Sequence, residues 1–196
     1  CKTIKEDIAI SHIPVILLTA KDDKQSLISG YKNGADGYLS KPFEVEMLME
    51  LIRNRLKNRE YTKKRYLNAG LIPTPEESTI SLTDETFLIK LNSIIQENID
   101  NTNLGIQFIC QEVGLGRSSL YNKLKALTGM GANEYISKLR IEKAITLISG
   151  TDMPFSEIAE KTGFTTPSYF STTFKQYTGE TPSQYKERKK KGLTDQ

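Results

Sequence analysis

Two segments of this sequence place polar and charged side chains on the outer face of a predicted helix. In the first segment, Arg117 and Asn122 stand among residues that alternate with inward-facing leucines. Arginine can pair with guanine and asparagine with adenine through two hydrogen bonds each, which is the chemistry of base reading in a major groove. The candidate DNA contacts of this segment are Arg117, Ser118, Tyr121, Asn122 and Lys125.

The second segment offers small hydroxyl side chains and one cation. These groups suit a helix in a major groove, with more phosphate and water-mediated contacts than direct base reading. The candidate DNA contacts of this segment are Thr166, Ser168, Ser171, Thr172 and Lys175.

Residues 155–185, which carry the second set of candidate contacts, are predicted to form a helix, a tight turn and a second helix. Gly163 can take the left-handed conformation that ends a helix, and Thr166 is predicted to cap the next one. Pro167 then falls at the first helical position, where its missing N–H costs nothing. Spacings of four and three predict a buried stripe of Phe170, Phe174 and Tyr177. An ordinary helical hairpin with a solvated outer face would give the same pattern.

The pattern occurs twice, which favours a pair of helix-turn-helix units over an isolated hairpin. The earlier copy lies about fifty residues upstream, and the later copy has one extra residue in its turn. A solenoid needs about three repeats, so two copies are too few for one. The matching positions are Ile109-Cys110 with Ile158-Ala159, Gly114-Leu115 with Gly163-Phe164, Leu120 and Leu124 with Phe170 and Phe174, Thr128-Gly129 with Thr178-Gly179, and Tyr135 with Tyr185.

Composition argues against several classes of protein. The 196 residues include 37% hydrophobic and 26% charged residues, which is ordinary for a soluble protein of one or two domains. No apolar run approaches the roughly twenty residues of a membrane span, and no signal peptide is visible. The single histidine, His12, excludes a histidine-based metal cluster, and no nucleophile–base pair or glycine-rich phosphate loop is present. We therefore expect no enzyme, cofactor or metal site, and we expect Cys110 to be a small buried residue.

The first sixty residues show the pattern of a parallel α/β segment. Residues 1–10 are predicted as the end of a helix that Pro14 stops. The run Val15 to Thr19 and the pair Tyr38-Leu39 are predicted as buried strands, with a helix from Asp22 to Asn33 between them. An amphipathic helix is predicted to begin at Phe43, with the apolar stripe Val45, Leu48, Met49, Ile52 and Leu56.

The motifs VILLTA and GADGYLSKPF, followed by that helix, resemble the second half of a response-regulator receiver domain over roughly residues 1–58. The alternative is a generic parallel α/β fragment. The resemblance implies that Thr19 and Lys41 contact a phosphoryl group, with Lys41 preceding a cis proline, and that Tyr38 changes rotamer on activation. A hydroxyl and a cation would stabilise the charge of an acyl phosphate.

The family's acidic pair and phosphoacceptor aspartate are absent, and Asp22, Asp23 and Asp36 do not replace them. We therefore expect no phosphorylation by a small phosphodonor. A parallel pair of strands needs cover on both faces, so we expect dimerisation, strand exchange or disorder in this part.

A linker is predicted between the two parts of the chain. The basic run 53–66 is predicted either as a phosphate-tracking or linker helix or as a solvated helix continuing out of the receiver segment. Residues 68–82 are predicted as a flexible linker. Thr83 is then predicted to cap a helix with Asp84 and Glu85 in its first turn, and the buried stripe of that helix is Phe87, Leu91, Ile94 and Ile95. A helix over Ala132 to Ser149 would be about 27 Å long, comparable with the roughly 34 Å between major-groove turns.

Residues 84–190 resemble the AraC-type DNA-binding domain along its whole length. The motifs are GRSSLYNKLKALTG, YISKLRIEKAITLI, FSEIAEKTGF and SYFSTTFKQYTGETPSQY. The resemblance implies that both second helices contact bases in successive major grooves and that the connecting helix sets their spacing. A receiver segment before such a domain resembles the C-terminal end of hybrid two-component sensors, where the regulated genes often concern polysaccharide use. Carbohydrate-utilisation genes are therefore candidate targets.

The predicted fold is mainly α. A partial flavodoxin-like α/β receiver fragment, with two parallel strands and helices, precedes an all-α domain with two helix-turn-helix units joined by a long helix. The predicted domains are the receiver fragment (1–60), the linker (61–83), the DNA-binding domain (84–190) and a tail (191–196).

The predicted function is that of a sequence-specific transcriptional regulator, the output module of a phosphorelay. The predicted partners are double-stranded DNA and a second copy bound through the receiver fragment, with RNA polymerase as a candidate and no membrane contact. The predicted location is cytoplasmic, although a parent protein could be anchored through N-terminal parts. The alternative is a protein-interaction module that binds a partner through the paired hairpins.

Overall fold

The computed structural model describes residues 1–20, 24–69 and 81–194. This part of the chain is mainly helical with two short parallel strands, which confirms the predicted fold class. The strands are β1 (Ile16–Thr19) and β2 (Gly37–Ser40). The helices are α1 (Lys2–Glu6), α2 (Lys24–Lys32), α3 (Val45–Ala69), α4 (Leu82–Glu97), α5 (Ile106–Val113), α6 (Arg117–Thr128), α7 (Ala132–Gly150), α8 (Phe155–Lys161), α9 (Pro167–Thr178) and α10 (Pro182–Thr194).

The chain divides into two compact units. The first unit comprises Cys1–Lys90 and Val113–Met130, and the second comprises Leu91–Glu112 and Gly131–Gln196. The predicted domain limits follow the sequence motifs instead, and they stay a prediction. Most of the predicted flexible linker, together with Asp22 and Asp23 and the end of the tail, lies outside the described residues.

The two strands of the first unit pair in parallel, from Ile16 opposite Gly37 to Thr19 opposite Ser40. Glycine at position 37 lets α3 approach the sheet closely, because a Cβ atom there would lie 3.0 Å from a methyl group of Leu51. The β-branched side chains of Ile16 and Thr19 in β1 favour the strand that the sequence predicted.

Two helix predictions in the first unit need correction. α1 ends at Glu6, well before Pro14, because Asp7 leaves the helix in an extended conformation and accepts a hydrogen bond from the Ala9 N–H at 2.8 Å. α3 begins at Val45, two residues after the predicted start at Phe43, and it ends at Ala69. The basic run 53–66 is therefore helical, as both interpretations of it require.

The predicted apolar stripe of α3 is wrong in part. Leu48 and Ile52 are half-buried as predicted, but the other three members of the stripe are exposed: Val45, Met49 and Leu56. The half-buried face continues through Leu51 and Arg55, because this is the face that packs within the unit. A two-stranded sheet has too little surface to cover the remaining apolar side chains.

The N-terminus of α4 is capped by Ser81 and not by Thr83. The Ser81 hydroxyl accepts a hydrogen bond from the Asp84 N–H at 3.2 Å, whereas the Thr83 hydroxyl donates to the Lys5 carbonyl at 3.1 Å. The predicted stripe of this helix is confirmed, since all four of its residues are buried: Phe87, Leu91, Ile94 and Ile95.

The second unit has a core of aromatic side chains. Phe164, Phe170, Phe174 and Tyr185 form a chain of tilted and edge-on ring contacts with centroid distances of 5.3–5.7 Å. Such pairs add about 0.5–1.5 kcal/mol each beyond the area they bury. This core joins α7, α8, α9 and α10, and it fixes the helix that carries the second set of candidate DNA contacts.

Candidate nucleic-acid interface

The turn before α9 is built as the sequence predicted. Gly163 has a φ of +71°, and a Cβ atom there would lie 2.3 Å from the Ile99 carbonyl oxygen, so both backbone conformation and space require glycine. The Thr166 hydroxyl accepts a hydrogen bond from the Tyr169 N–H at 3.1 Å, and Pro167 is the first helical residue. Local sequence therefore sets where α9 begins.

The outer face of α9 presents most of the predicted contacts to solvent. Ser171 is half-buried, and the exposed members are Thr166, Ser168, Thr172 and Lys175. The Thr172 hydroxyl donates to the Ser168 carbonyl oxygen at 3.1 Å, which leaves its lone pairs to accept further hydrogen bonds. Ser168 and Lys175 are therefore the polar groups on this face with the most freedom to bond an external partner.

Sequence reasoning missed Tyr169 and misplaced Tyr177. Tyr169 is 53% exposed and lies three residues before Thr172, so it shares the outer face; its helical spacing could have revealed this. Tyr177 is 37% exposed and is not fully part of the buried stripe. Its hydroxyl donates to the Glu134 carbonyl at 2.8 Å, which ties α9 to the start of α7. Burial raises the Tyr177 pKa to about 12.

The outer face of α6 agrees fully with the predicted pattern. All five predicted contacts are exposed: Arg117, Ser118, Tyr121, Asn122 and Lys125. The inward leucines Leu120, Leu124 and Leu127 are buried. Gly129 ends the helix with a φ of +79°.

The two copies of the repeat match in their hydrogen bonds as well as their sequence. Thr128 and Thr178 each donate their hydroxyl to the carbonyl four residues earlier, at 2.8 Å in both copies. The glycine after each threonine ends its helix in the left-handed conformation. One position departs from the match, since Cys110 is half-buried and not buried as predicted, while Ala159 in the other copy is buried.

Comparison with known families agrees with this geometry. Residues 1–53 match the response regulator receiver domain, and residues 109–188 match a helix-turn-helix domain. The chain is a receiver segment followed by an AraC-type helix-turn-helix domain.

Two curated relatives are similar to this chain over more than half of its length. Histidine kinase P4 of Formosa agariphila is 42% identical over 188 residues, which is 96% of this chain and 14% of that protein. The uncharacterized transcriptional regulatory protein YesN of Bacillus subtilis is 33% identical over 119 residues, 59% of this chain and 32% of that protein. The chain therefore spans a minor part of the length of both relatives.

Two solved structures resemble the helix-turn-helix part. The C-terminal domain of AraT, a response regulator from Geobacillus stearothermophilus, has a TM-score of 0.50 at 29% identity, covering 57% of this chain and 88% of that one. A transcriptional regulator with an AraC-type DNA-binding domain from Chromobacterium violaceum has a TM-score of 0.51 at 24% identity, covering 56% and 96%, which shows a shared fold.

α7, the connecting helix of the AraC-type domain, is held in place at several points. The Tyr135 hydroxyl donates to Asn92 at 2.7 Å, and the Arg140 guanidinium donates to the Asn101 carbonyl at 2.7 Å. Burial raises the Tyr135 pKa to about 12 and lowers the Arg140 pKa. The apolar face of α7 is buried at Ile136, Leu139 and Ile148, as predicted, with Ile145 half-buried.

A buried ion pair anchors α6 from its inner side. Lys123 is 0% exposed, forms a salt bridge with Asp84 of α4 and donates to the Ser11 hydroxyl at 2.7 Å. Its ammonium group also lies 5.0 Å from the centre of the Phe87 ring. Burial lowers the Lys123 pKa, against the effect of Asp84, which raises it. No motif or periodicity predicted this cluster, because its members are far apart along the chain.

Two of the three predicted receiver-switch residues, Thr19 and Lys41, lie at the carboxyl ends of the two strands. Thr19 pairs with Ser40 in the sheet, and the Lys41 N–H donates to the Thr19 carbonyl at 2.7 Å. The peptide bond between Lys41 and Pro42 is cis, as the resemblance implied. Tyr38 is half-buried opposite Leu17. Thr19 and Lys41 are thus neighbours, and their roles toward a phosphoryl group stay predictions.

Within residues 1–20, 24–69 and 81–194, no helix is long and apolar enough to cross a membrane. In the same ranges, no group of three or more histidine, cysteine, aspartate or glutamate residues is placed to hold a metal ion.

Proposed function

We propose that this chain is a sequence-specific DNA-binding transcriptional regulator and the output segment of a two-component phosphorelay. The observation that carries the proposal is the outer face of α6, where a guanidinium, an amide and an ammonium group are all exposed on the second helix of a helix-turn-helix unit: Arg117, Asn122 and Lys125. These groups suit guanine, adenine and phosphate respectively.

We assign base reading chiefly to α6 and phosphate positioning chiefly to α9. The exposed hydroxyl groups and Lys175 of α9 suit sugar–phosphate contacts, which position a protein without reading sequence. Tyr169 adds an exposed ring and hydroxyl at the start of the same helix, so it joins the candidate contacts.

We propose that α7 sets the spacing of the two second helices on DNA. Its 19 residues give a length of about 28 Å at a rise of about 1.5 Å per residue. Successive major-groove turns are about 34 Å apart. The hydrogen bonds of Tyr135 to Asn92 and of Arg140 to Asn101 hold α7 in place within the second unit.

The experiment is fluorescence anisotropy of the full chain with a labelled pool of DNA duplexes, repeated across a salt series. We expect affinity to fall with a log–log slope of several units, because phosphate contacts release counterions. Arg117→Ala should lower affinity and relax base preference by about 1–3 kcal/mol at one position. Lys90→Ala is the control, because this exposed lysine lies on α4, outside both outer faces.

A second copy of the chain and RNA polymerase are further proposed partners. Exposed apolar side chains on the receiver segment support the second copy, and they include Leu18, Leu27, Ile28, Tyr31, Val45, Met47 and Met49. Sedimentation equilibrium should give twice the monomer mass, and a monomer mass at high concentration would overturn the dimer. A DNA partner implies work in the cytoplasm. Carbohydrate-utilisation genes stay a prediction of family resemblance, and we propose no catalytic role.

The alternative function is a protein-interaction module. Tyr121 and Tyr169 are 54% and 53% exposed on the two outer faces, and exposed tyrosines are enriched at protein interfaces. A protein partner would bind with weak salt dependence, whereas DNA would show the steep dependence above. Absence of DNA binding at low salt would favour this alternative.

A further inference from the structure

A cavity of about 290 Å³ lies in the first unit, close to the buried ion pair but separate from the outer face of α6. Its walls come from the segment around Ser11 and His12, from one face of α3 and from the N-terminal end of α4. Its volume is near the lower limit of small-molecule sites, and it corresponds to roughly ten waters of liquid volume.

The walls carry two arginines with no carboxylate partner among the described residues. Arg55 and Arg59 are four residues apart on α3, so both point from the same face of the helix, and both are half-buried. Arg53, on the same helix, differs in that it is exposed and pairs with Glu50.

The two carboxylates in the walls are already engaged. Asp36 accepts from the Lys5 ammonium at 2.7 Å and from the Val15 N–H at 2.7 Å. Asp84 accepts from Lys123 and from the Ser11 hydroxyl. These cations neutralise the two carboxylates, so the charge left over in the cavity is that of the arginines.

His12 also lines the cavity, and its surroundings show the same positive potential. Its Nδ1 atom is buried and has no hydrogen-bond partner within residues 1–20, 24–69 and 81–194. Burial lowers the His12 pKa, and the positive charges of Lys123, Arg59 and Lys5 lower it further, against Asp84, which raises it. The imidazole is therefore placed to sense any anion that enters.

We propose that this cavity binds a small doubly charged oxyanion between the guanidinium groups of Arg55 and Arg59, either a free oxyanion or the phosphate of a small ester. Arginine offers paired N–H donors that match the oxygen geometry of sulfate and phosphate. The proposal concerns the inner side of the first unit, and it does not depend on the DNA-binding function.

The test uses His12 as a reporter, since it is the only histidine of the chain and gives one imidazole signal in NMR. The His12 pKa is measured in the full chain with increasing sulfate, which stays doubly charged over the titration, and with chloride at equal ionic strength. We expect sulfate to raise the pKa saturably beyond the effect of chloride. A sulfate response that coincides with the chloride response overturns the proposal.

Arginine variants test whether the proposed residues hold the anion. Arg59→Gln should raise the His12 pKa without any anion and remove the sulfate response, while Arg53→Gln should behave as the unchanged chain. Arg55→Gln is a second variant, with circular dichroism to confirm the fold of each. A full sulfate response in both Arg55→Gln and Arg59→Gln would also overturn the proposal.

Glycerol 3-phosphate, with glycerol as the uncharged control, distinguishes the two sources of the anion. A response to the ester but not to glycerol assigns the site to small phosphate esters as well. A response to sulfate alone assigns it to free oxyanions. Both results support an oxyanion site of the proposed charge.

Discussion

Removing the buried ammonium of Lys123 should destabilise the first unit far more than any change on the outer face of α6. In Lys123→Met the side-chain volume is nearly kept, but the Asp84 carboxylate loses its counter-charge while it stays buried. Breaking a buried ion pair in this way costs about 3–5 kcal/mol. For a protein of this size that free energy corresponds to a fall of roughly 6–20 °C in Tm.

The assay is urea unfolding of the full chain followed by far-ultraviolet circular dichroism, since the chain has no tryptophan. Lys125→Met is the matched control, because Lys125 lies on the same helix but is exposed. The free energy of unfolding of this variant should differ from that of the unchanged chain by less than about 0.5 kcal/mol. The double variant Lys123→Met/Asp84→Leu should recover most of the loss, because no unpaired charge remains. A loss below about 1 kcal/mol in Lys123→Met would refute the burial argument, given the cost expected for an unpaired buried charge.

Three further predictions concern the turn, the helix contact and pH. In urea unfolding, Gly163→Ala should lower the free energy of unfolding more than Gly114→Ala. Both glycines have left-handed backbones, which cost about 1–2 kcal/mol with alanine. Only at position 163 would the added Cβ atom clash with the Ile99 carbonyl oxygen. Equal losses would contradict this. Tyr177→Phe should lose about 1 kcal/mol through its hydrogen bond to Glu134, by the same assay, and no loss would show that the bond is not formed. Stability should fall as pH drops below 6.5 toward the lowered His12 pKa, because the unfolded chain binds that proton more readily; His12→Gln should remove this part of the dependence, and an unchanged pH profile would exclude His12.

Local sequence predicted the elements that local chemistry determines. The start of α9 follows from Gly163, Thr166 and Pro167, whose backbone preferences and capping oxygen act over a few residues. The five exposed positions of α6 follow from the 3.6-residue period, because the leucines between them must turn inward. The sequence could also have predicted Ser81 as the N-cap of α4, because Ser81 precedes Asp84 by the three residues that a cap requires.

The features that escaped prediction depend on contacts distant in sequence. Ser11, Asp84 and Lys123 are 73 and 39 residues apart in turn, and no periodicity links them. As a lysine, residue Lys123 would also be predicted at the surface, because lysine is almost never fully buried unless it is paired. The exposure of Met49 and Leu56 likewise depends on what packs against α3, which a helical pattern alone does not specify.

The most direct test of the account is the salt dependence of DNA binding for the unchanged chain and for Lys125→Met. The account predicts binding with a log–log slope of several units, and a slope smaller by about one in the variant, because one phosphate contact is lost. Lys90→Ala should keep the original slope. No binding at low salt, or identical slopes for the unchanged chain and Lys125→Met, would contradict the assignment of α6 to DNA.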